Sequence, residues 1–201
     1  MVHRGIKMAK VTFLYGTMNV SKSAQLLMKN YNYLEAGITP LLISPAKDTR
    51  YGYGVITSRV GLEAKSHIVD NGNLSYAHLS SAWNRLKEPP VIMVDEAQFI
   101  GIDSVKIIEQ FSRDKEIDLL AFGLLKDFKN NLFPASKTWL ELSDKFVEIS
   151  TNCVFCSKKA TRNLRMVKGV AIQEGDSIAV GNEGEFHSVC ATHYDMLTKR
   201  A

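Results

Sequence analysis

A chain of 201 residues holds one domain, or one domain with a small appendage, and 45% apolar residues suit a globular core. The net charge of +4 fits an anionic small substrate without demanding nucleic acid. No apolar run is long enough to span a bilayer, and residues 1–7 lack the apolar core of a secretory leader. Met8 offers a second start, so residues 1–7 are expected to be an extension. Three cysteines cannot all pair with one another, and their spacing argues for a metal in a reducing compartment, hence a cytoplasmic protein.

The chain opens with an apolar run, Lys10-Val11-Thr12-Phe13-Leu14-Tyr15, that breaks at Gly16. A polar loop follows, Gly16-Thr17-Met18-Asn19-Val20-Ser21-Lys22-Ser23, and then helical spacing through Leu26, Leu27, Tyr31 and Leu34. This predicts a strand, a loop and a helix over 21–36 that stops at Gly37. Successive N–H groups in such a loop, with the helix N-terminus behind them, cradle phosphates. Lys22 would reach the β- and γ-phosphates, and the Ser23 hydroxyl would ligate magnesium. The usual pattern has a glycine before the lysine, and here that residue is Ser21, which strains the loop if the position needs a positive φ.

Residues 40–43 predict a second strand, ended at Ser44-Pro45. The Gly- and Tyr-containing stretch 47–54 has no period and reads as a long loop. Residues 66–69 suggest a short strand, and 74–86 a helix ending before Pro89-Pro90. Strands are predicted at 91–94, 118–123 and 146–149, and a helix at 102–111. Short apolar strands alternating with helices argue for an α/β fold, a parallel sheet with helices on both faces.

The strand at 91–94 opens onto Asp95-Glu96. Ligands of such sheets sit at the carboxyl ends of the strands, so this pair and the Gly16–Ser23 loop should share one edge. Asp95 there can hold magnesium, and Glu96 can serve as general base toward a hydroxyl. From Cys153 onward the strands become short and Gly-rich, and helical spacing returns only at about 190–198. A boundary near residue 150 divides a nucleotide-binding domain (8–150) from a small β-rich metal domain (151–201). In that second part Cys153-Val154-Phe155-Cys156 and Cys190-Ala191-Thr192-His193 are two knuckles of matching spacing. Four ligands close a tetrahedral shell, which makes the expected zinc structural. His3, His67, His78 and His187 have no ligand spacing, and Lys158, Lys159, Arg162, Arg165 and Lys168 read as a solvated basic face.

The order of these motifs resembles the compact, zinc-containing thymidine kinase family. The resemblance also takes in Lys47-Asp48-Thr49-Arg50, Ser58-Arg59-Val60-Gly61, Asp95-Glu96-Ala97-Gln98-Phe99, Gly123-Leu124-Leu125-Lys126-Asp127-Phe128, Phe133-Pro134 and Val189-Cys190 through Tyr194. It implies a RecA-like P-loop domain with a zinc-bearing lasso domain, and transfer of the ATP γ-phosphoryl group to the 5′-hydroxyl of thymidine in deoxynucleoside salvage. It implies that ATP with magnesium is held by the Gly16–Ser23 loop and by Asp95, Glu96, Ala97 and Gln98. Glu96 would be the base. Thymidine would meet Met18, Phe99, Leu124, Phe128 on the ring, the backbone of Ser177, Ile178, Ala179, Val180 and Gly181, and Phe186. Arg59 would approach the phosphates unless it is simply exposed. A homotetramer, with no nucleic-acid or membrane partner, is also implied. Three positions depart from the family: Ser21 for glycine, Phe186 for a tyrosine, and Ala191 for a common arginine. Two alternatives remain beside this reading: a RecA-like nucleic-acid-dependent ATPase, and a weakly active kinase homologue.

Overall fold

The computed structural model describes residues 9–46, 54–69, 74–87, 89–175 and 184–199. The expected loop residues 47–53 and the candidate base-edge residues 177–181 lie outside the described residues. Strand β1 (Val11–Gly16) leads through the polar loop into helix α1 (Lys22–Glu35). After Gly37, whose φ of 74° ends the helix, strand β2 (Leu41–Pro45) follows. Strands β3 (Val55–Thr57) and β4 (Glu63–Lys65) form a small hairpin, and β5 (His67–Val69) returns to the main sheet. Helix α2 (Tyr76–Arg85) is capped by the Ser75 hydroxyl, which accepts from the His78 N–H. Then come β6 (Val91–Val94), a single 3₁₀ turn (Ala97–Phe99), α3 (Ile102–Asp114), β7 (Asp118–Leu124), α4 (Pro134–Leu142) and β8 (Lys145–Glu148). The remainder holds β9 (Arg162–Val167), β10 (Val170–Ile172), β11 (Glu185–Val189) and α5 (Ala191–Thr198).

Six strands form one sheet in the order β5-β2-β6-β7-β1-β8, and every neighbouring pair is parallel. Such a sheet is apolar on both faces, and alternate residues of each strand enter different cores. Phe13, Ile43, Ile92 and Leu119 pack with Trp83, Phe111 and Trp139 of α2, α3 and α4. Leu14, Leu42, Met93 and Phe122 pack with Leu26 and Leu27 of α1 and with Ile56 of the hairpin. The expected α/β fold with helices on both faces is therefore present. Strands β10-β9-β11 form a separate antiparallel sheet with its own small core around Cys153, Leu164, Val189, Cys190 and Tyr194. No helix of the described residues is long and apolar enough to cross a membrane.

Two elements differ from the reading of the sequence. Residues 55–57, just past the expected loop at 47–54 and not read as a strand, pair as β3 with β4. Three-residue strands leave too little alternation to register as a period. Helix α4 was not expected either. Its start is fixed by Pro134 in the first turn, where the missing N–H costs nothing, and its inner face is Ala135, Ser136, Thr138 and Trp139. Two of those four are polar, which hides the apolar stripe.

Trp139 is fully buried beneath β1 and β7, and its indole N–H donates to the Ala97 carbonyl at 3.1 Å. Replacing it tests how far α4 supports the sheet. Trp139→Ala is expected to cost about 3–5 kcal/mol and Trp139→Phe about 1–3 kcal/mol, measured by denaturant unfolding.

Candidate active site

Parallel register puts the ends of β1, β7 and β6 on one edge, with Gly16 opposite Leu124 and Val94 opposite Ala121. Strand β7 lies between the other two, so the loop after β1 and the turn after β6 flank its end. Gly16 has no room for a side chain: a Cβ would lie 2.4 Å from the Ile149 carbonyl oxygen and 2.7 Å from the Val20 side chain. Buried Val20 plugs the loop into the core on the α1 side. Asn19 and Ser21 both adopt left-handed backbone, with φ of 61° and 60°. The position before Lys22 therefore does need a positive φ, and a serine meets that need at a cost of about 1–2 kcal/mol.

Ser23, in the first turn of α1, donates to the Asp95 Oδ1 at 3.2 Å. The expectation that the loop and the acidic pair share an edge is met at atomic contact. Lys22 donates through Nζ to the Thr17 carbonyl at 2.7 Å. Burial lowers the Lys22 ammonium to a pKa of about 8, against the opposing pull of the Glu96 and Asp95 charges. Burial, reinforced by the neighbouring Glu96, raises the Asp95 carboxyl to about 7, although Ser23, the backbone N–H of Glu96 and Lys22 act to lower it. Beside these groups the Thr17 hydroxyl is buried without a protein partner among the described residues.

Glu96 sits in left-handed backbone (φ 44°, ψ 43°) that turns the chain off β6 into the 3₁₀ turn. Its carboxylate accepts from Nε2 of buried Gln98. The Gln98 amide is oriented by its other end, where Oε1 accepts from the Leu124 N–H at 2.8 Å. Gly123 makes space for this contact, since a Cβ there would lie 2.9 Å from Gln98 Oε1. Ser136 of α4 donates to the Leu124 carbonyl at 2.6 Å, and Trp139 holds the carbonyl of Ala97. The turn carrying Glu96 is thus tied to β7 and α4 on both sides. The Gln98 side-chain amide is thus engaged at both ends, by Glu96 and by Leu124.

Phe128 is only 2% exposed. Phe186 meets it edge-on with ring centroids 6.2 Å apart, and Arg165 lies over it at 5.4 Å. Lys129 also approaches its face, at 5.7 Å, and Tyr194 donates to its carbonyl at 2.6 Å. Phe99, in the 3₁₀ turn, meets Phe133 edge-on at 5.8 Å. Arg165 is 7% exposed, so it does not belong to a solvated basic face. Lys159 of the same run pairs with Glu148. Arg59 is exposed in the turn of the β3–β4 hairpin. Ala191 is exposed at the start of α5.

The two knuckles converge. The ligand atoms of Cys153, Cys156, Cys190 and His193 all lie within 4.8 Å of one another. Cys156 Sγ is 3.9 Å from Cys190 Sγ, and His193 Nδ1 is 3.3 Å from Cys190 Sγ and 3.5 Å from Cys153 Sγ. Sulfur ligands about 2.3 Å from a tetrahedral zinc ion stand about 3.8 Å apart, so this cluster fits that ion closely. Burial raises the Cys153 thiol, but backbone N–H groups of Cys190 and Phe155 and the neighbouring thiols outweigh it and bring it to about 6. A thiolate is the form a metal needs.

Neither Asn163 nor Ser188 was singled out in the sequence, yet both reach the loop after β1. Asn163 Oδ1 accepts from the Met18 N–H at 2.8 Å, and Ser188 donates to the Met18 carbonyl. No motif marks them, because an isolated polar residue in a short strand has no spacing to recognise.

Ser21→Val is expected to destabilise the fold by about 1–3 kcal/mol, since a β-branched residue resists left-handed backbone. Ser21→Gly should stay within about 1 kcal/mol of the parent, because relief of strain offsets the greater freedom of the unfolded chain. Denaturant unfolding of both variants distinguishes these outcomes.

Residues 9–194 match the family model for thymidine kinase. Thymidine kinase of Legionella pneumophila (strain Lens) is 37% identical over 188 residues, which are 93% of this chain and 90% of that protein. Thymidine kinase of Streptococcus pyogenes serotype M1 is 37% identical over 188 residues, 93% of this chain and 97% of that one. Among solved structures, Pif1 helicase from Candida albicans superposes on 70% of this chain and 36% of its own, with a TM-score of 0.42 and 13% identity, a likeness that bears no functional inference. With the match running through the phosphate loop, the acidic turn and both metal knuckles, the chain belongs to the thymidine kinase family.

Proposed function

We propose that the chain is a thymidine kinase that transfers the ATP γ-phosphoryl group to the 5′-hydroxyl of thymidine. The observation that carries the reading is the contact of Ser23 with Asp95 beneath the loop headed by Gly16. It brings a phosphate cradle, a buried ammonium and a carboxylate pair to one strand edge. In this reading the amides of the Gly16–Ser23 loop and Lys22 bind the triphosphate. The unsatisfied Thr17 hydroxyl adds a donor to the same cradle. Ser23 and Asp95 offer two oxygen ligands to magnesium, a hard cation. When bound, the ion neutralises charge on the transferring phosphoryl group.

Glu96 takes the proton from the nucleoside hydroxyl, and Gln98 holds its carboxylate in place. Ala97 completes the turn through its carbonyl bond to Trp139. Phe128, walled by Phe186 and Arg165, would form the floor of the nucleoside pocket. Met18, Phe99 and Leu124 are further candidates to meet the nucleoside, and residues 177–181, outside the described residues, are expected to offer backbone groups to the base edge. The cysteine–histidine cluster holds a structural zinc ion in a domain that begins near residue 151. The reading includes a homotetramer in the cytoplasm, and the exposed Met28, Tyr31 and Leu34 on α1 form an apolar flank suited to contact between subunits. A nucleic-acid-dependent ATPase would need a continuous basic face. The run from Lys158 to Lys168 is instead broken by buried Arg165 and by the Lys159–Glu148 pair.

The purified protein is expected to phosphorylate thymidine with ATP and to leave guanosine nearly untouched. Glu96→Gln should lower kcat by about 10²–10⁴ with ATP binding retained. Comparable turnover of the two nucleosides, or an unchanged kcat, would overturn the assignment.

Asp95 gives a pH signature. With its carboxyl at about 7, holding magnesium below that pH requires expelling a proton. Affinity for magnesium-ATP should therefore fall by about tenfold per pH unit below pH 7, and it should weaken again above about pH 8 as Lys22 loses its proton. Calorimetry in buffers of different ionisation enthalpy should find about one proton released per nucleotide at pH 6, lost in Asp95→Asn.

A further inference from the structure

The peptide groups of Met18 are engaged from outside their own domain. Asn163 and Ser188 are directly opposite each other on β9 and β11, so their side chains leave the same face of the antiparallel sheet. Both are almost wholly buried, at 4% and 3% exposure. Asn163 takes the Met18 N–H at 2.8 Å, and Ser188 takes its carbonyl. The Asn163 amide also donates to the Lys126 carbonyl at 2.8 Å, just beyond β7. Asn19 adds a fourth link by donating to the Phe186 carbonyl at 3.1 Å. These bonds grip a loop whose next residues include two left-handed non-glycine positions, Asn19 and Ser21. A conformation of that kind persists where its surroundings hold it.

Behind the same strands lies the metal cluster. The Val154 N–H, inside the first knuckle, donates to the Ser188 carbonyl at 3.1 Å. Cys190 follows β11 directly and stands two residues from Ser188. On β9, Leu164 enters the core shared with Cys153 and Cys190, while Asn163 beside it faces the loop. A continuous path therefore runs from the cluster through the Ser188 peptide and hydroxyl to the Met18 peptide.

We infer that Asn163 and Ser188 are positioning residues that fix the phosphate loop against the metal-bearing sheet, so that metal occupancy and ATP affinity are coupled. The inference rests on the kinase reading above. It adds that the metal acts at the phosphate loop and not only on the stability of its own domain. Coupling of this kind is reciprocal: what strengthens nucleotide binding is itself retained more tightly when nucleotide is bound.

The test uses the zinc-loaded full chain and a non-hydrolysable ATP analogue with magnesium. Analogue affinity is measured before and after zinc is withdrawn by a chelator, and equilibrium zinc affinity is measured by competition with a chromogenic chelating dye with and without saturating analogue. In the parent, withdrawal should weaken the analogue about tenfold, and saturating analogue should tighten zinc binding by the same factor. In the Asn163→Ala/Ser188→Ala double variant, affinity should already be about tenfold weaker, and zinc should then change it little. Ser188→Ala alone should show a smaller loss and a smaller zinc effect, with Ser188→Thr restoring both, and it carries the test if the double variant does not fold. Parent affinity indifferent to zinc would overturn the inference. So would a double variant as zinc-sensitive as the parent, which would make the metal's effect general destabilisation. A zinc-loaded parent that binds no analogue at all would overturn the kinase reading, and this inference with it.

Discussion

A carboxyl buried at the end of an apolar strand is the constraint around which the site is arranged. Asp95 emerges from four fully buried residues and has Glu96 as its neighbour, so burial and like charge both oppose its ionisation. Ser23 and Lys22 answer that from the first turn of α1, which starts only because the loop after Gly16 turns sharply enough to bring them there. Lys22 in turn is buried, and without the two carboxyls its charge would be harder to keep. Each charged group is tolerable because the others are present. Phosphates and a cation entering this site would find charges already placed, with the desolvation already met by folding.

The turn that carries Glu96 is built on the absence of a side chain at residue 123. The space beside Gly123 admits Gln98, whose amide then bridges the end of β7 to the Glu96 carboxylate. Left-handed backbone at a glutamate is unfavourable on its own. Here Trp139 and Ser136, both from α4, secure the two flanks of the turn through the Ala97 and Leu124 carbonyls. A helix far from the nucleotide loop in sequence thus determines where the candidate base stands.

The sheet and the site motifs were legible in the sequence for a common reason. Parallel strands are short unbroken apolar runs, and residues that serve one ligand or one metal keep fixed local spacing. Gly16 to Ser23, Asp95-Glu96 and the paired knuckles are all of this kind. What stayed hidden was held by contacts between distant segments. Helix α4 disguises its inner face with Ser136 and Thr138, which are buried because they bond to backbone carbonyls. Arg165 reads as one more basic surface residue, yet it is buried against Phe128. Asn163 and Ser188 look ordinary until the register of β9 and β11 places them side by side.

The metal cluster explains how so small a sheet can wall a site. Three short strands cannot bury enough apolar surface to hold a fixed face. In the core of this sheet, two of the six buried members are the candidate ligands Cys153 and Cys190, and Cys156 packs at its margin. A tetrahedral ion held there would supply order that a larger apolar core would otherwise have to supply. One face of β9 and β11 can then be committed to polar and aromatic groups: Asn163 and Ser188 toward the loop, Arg165 and Phe186 toward Phe128. A face of that composition would be a poor core. As a wall between a phosphate loop and an aromatic floor, it joins the two halves of the proposed reaction centre.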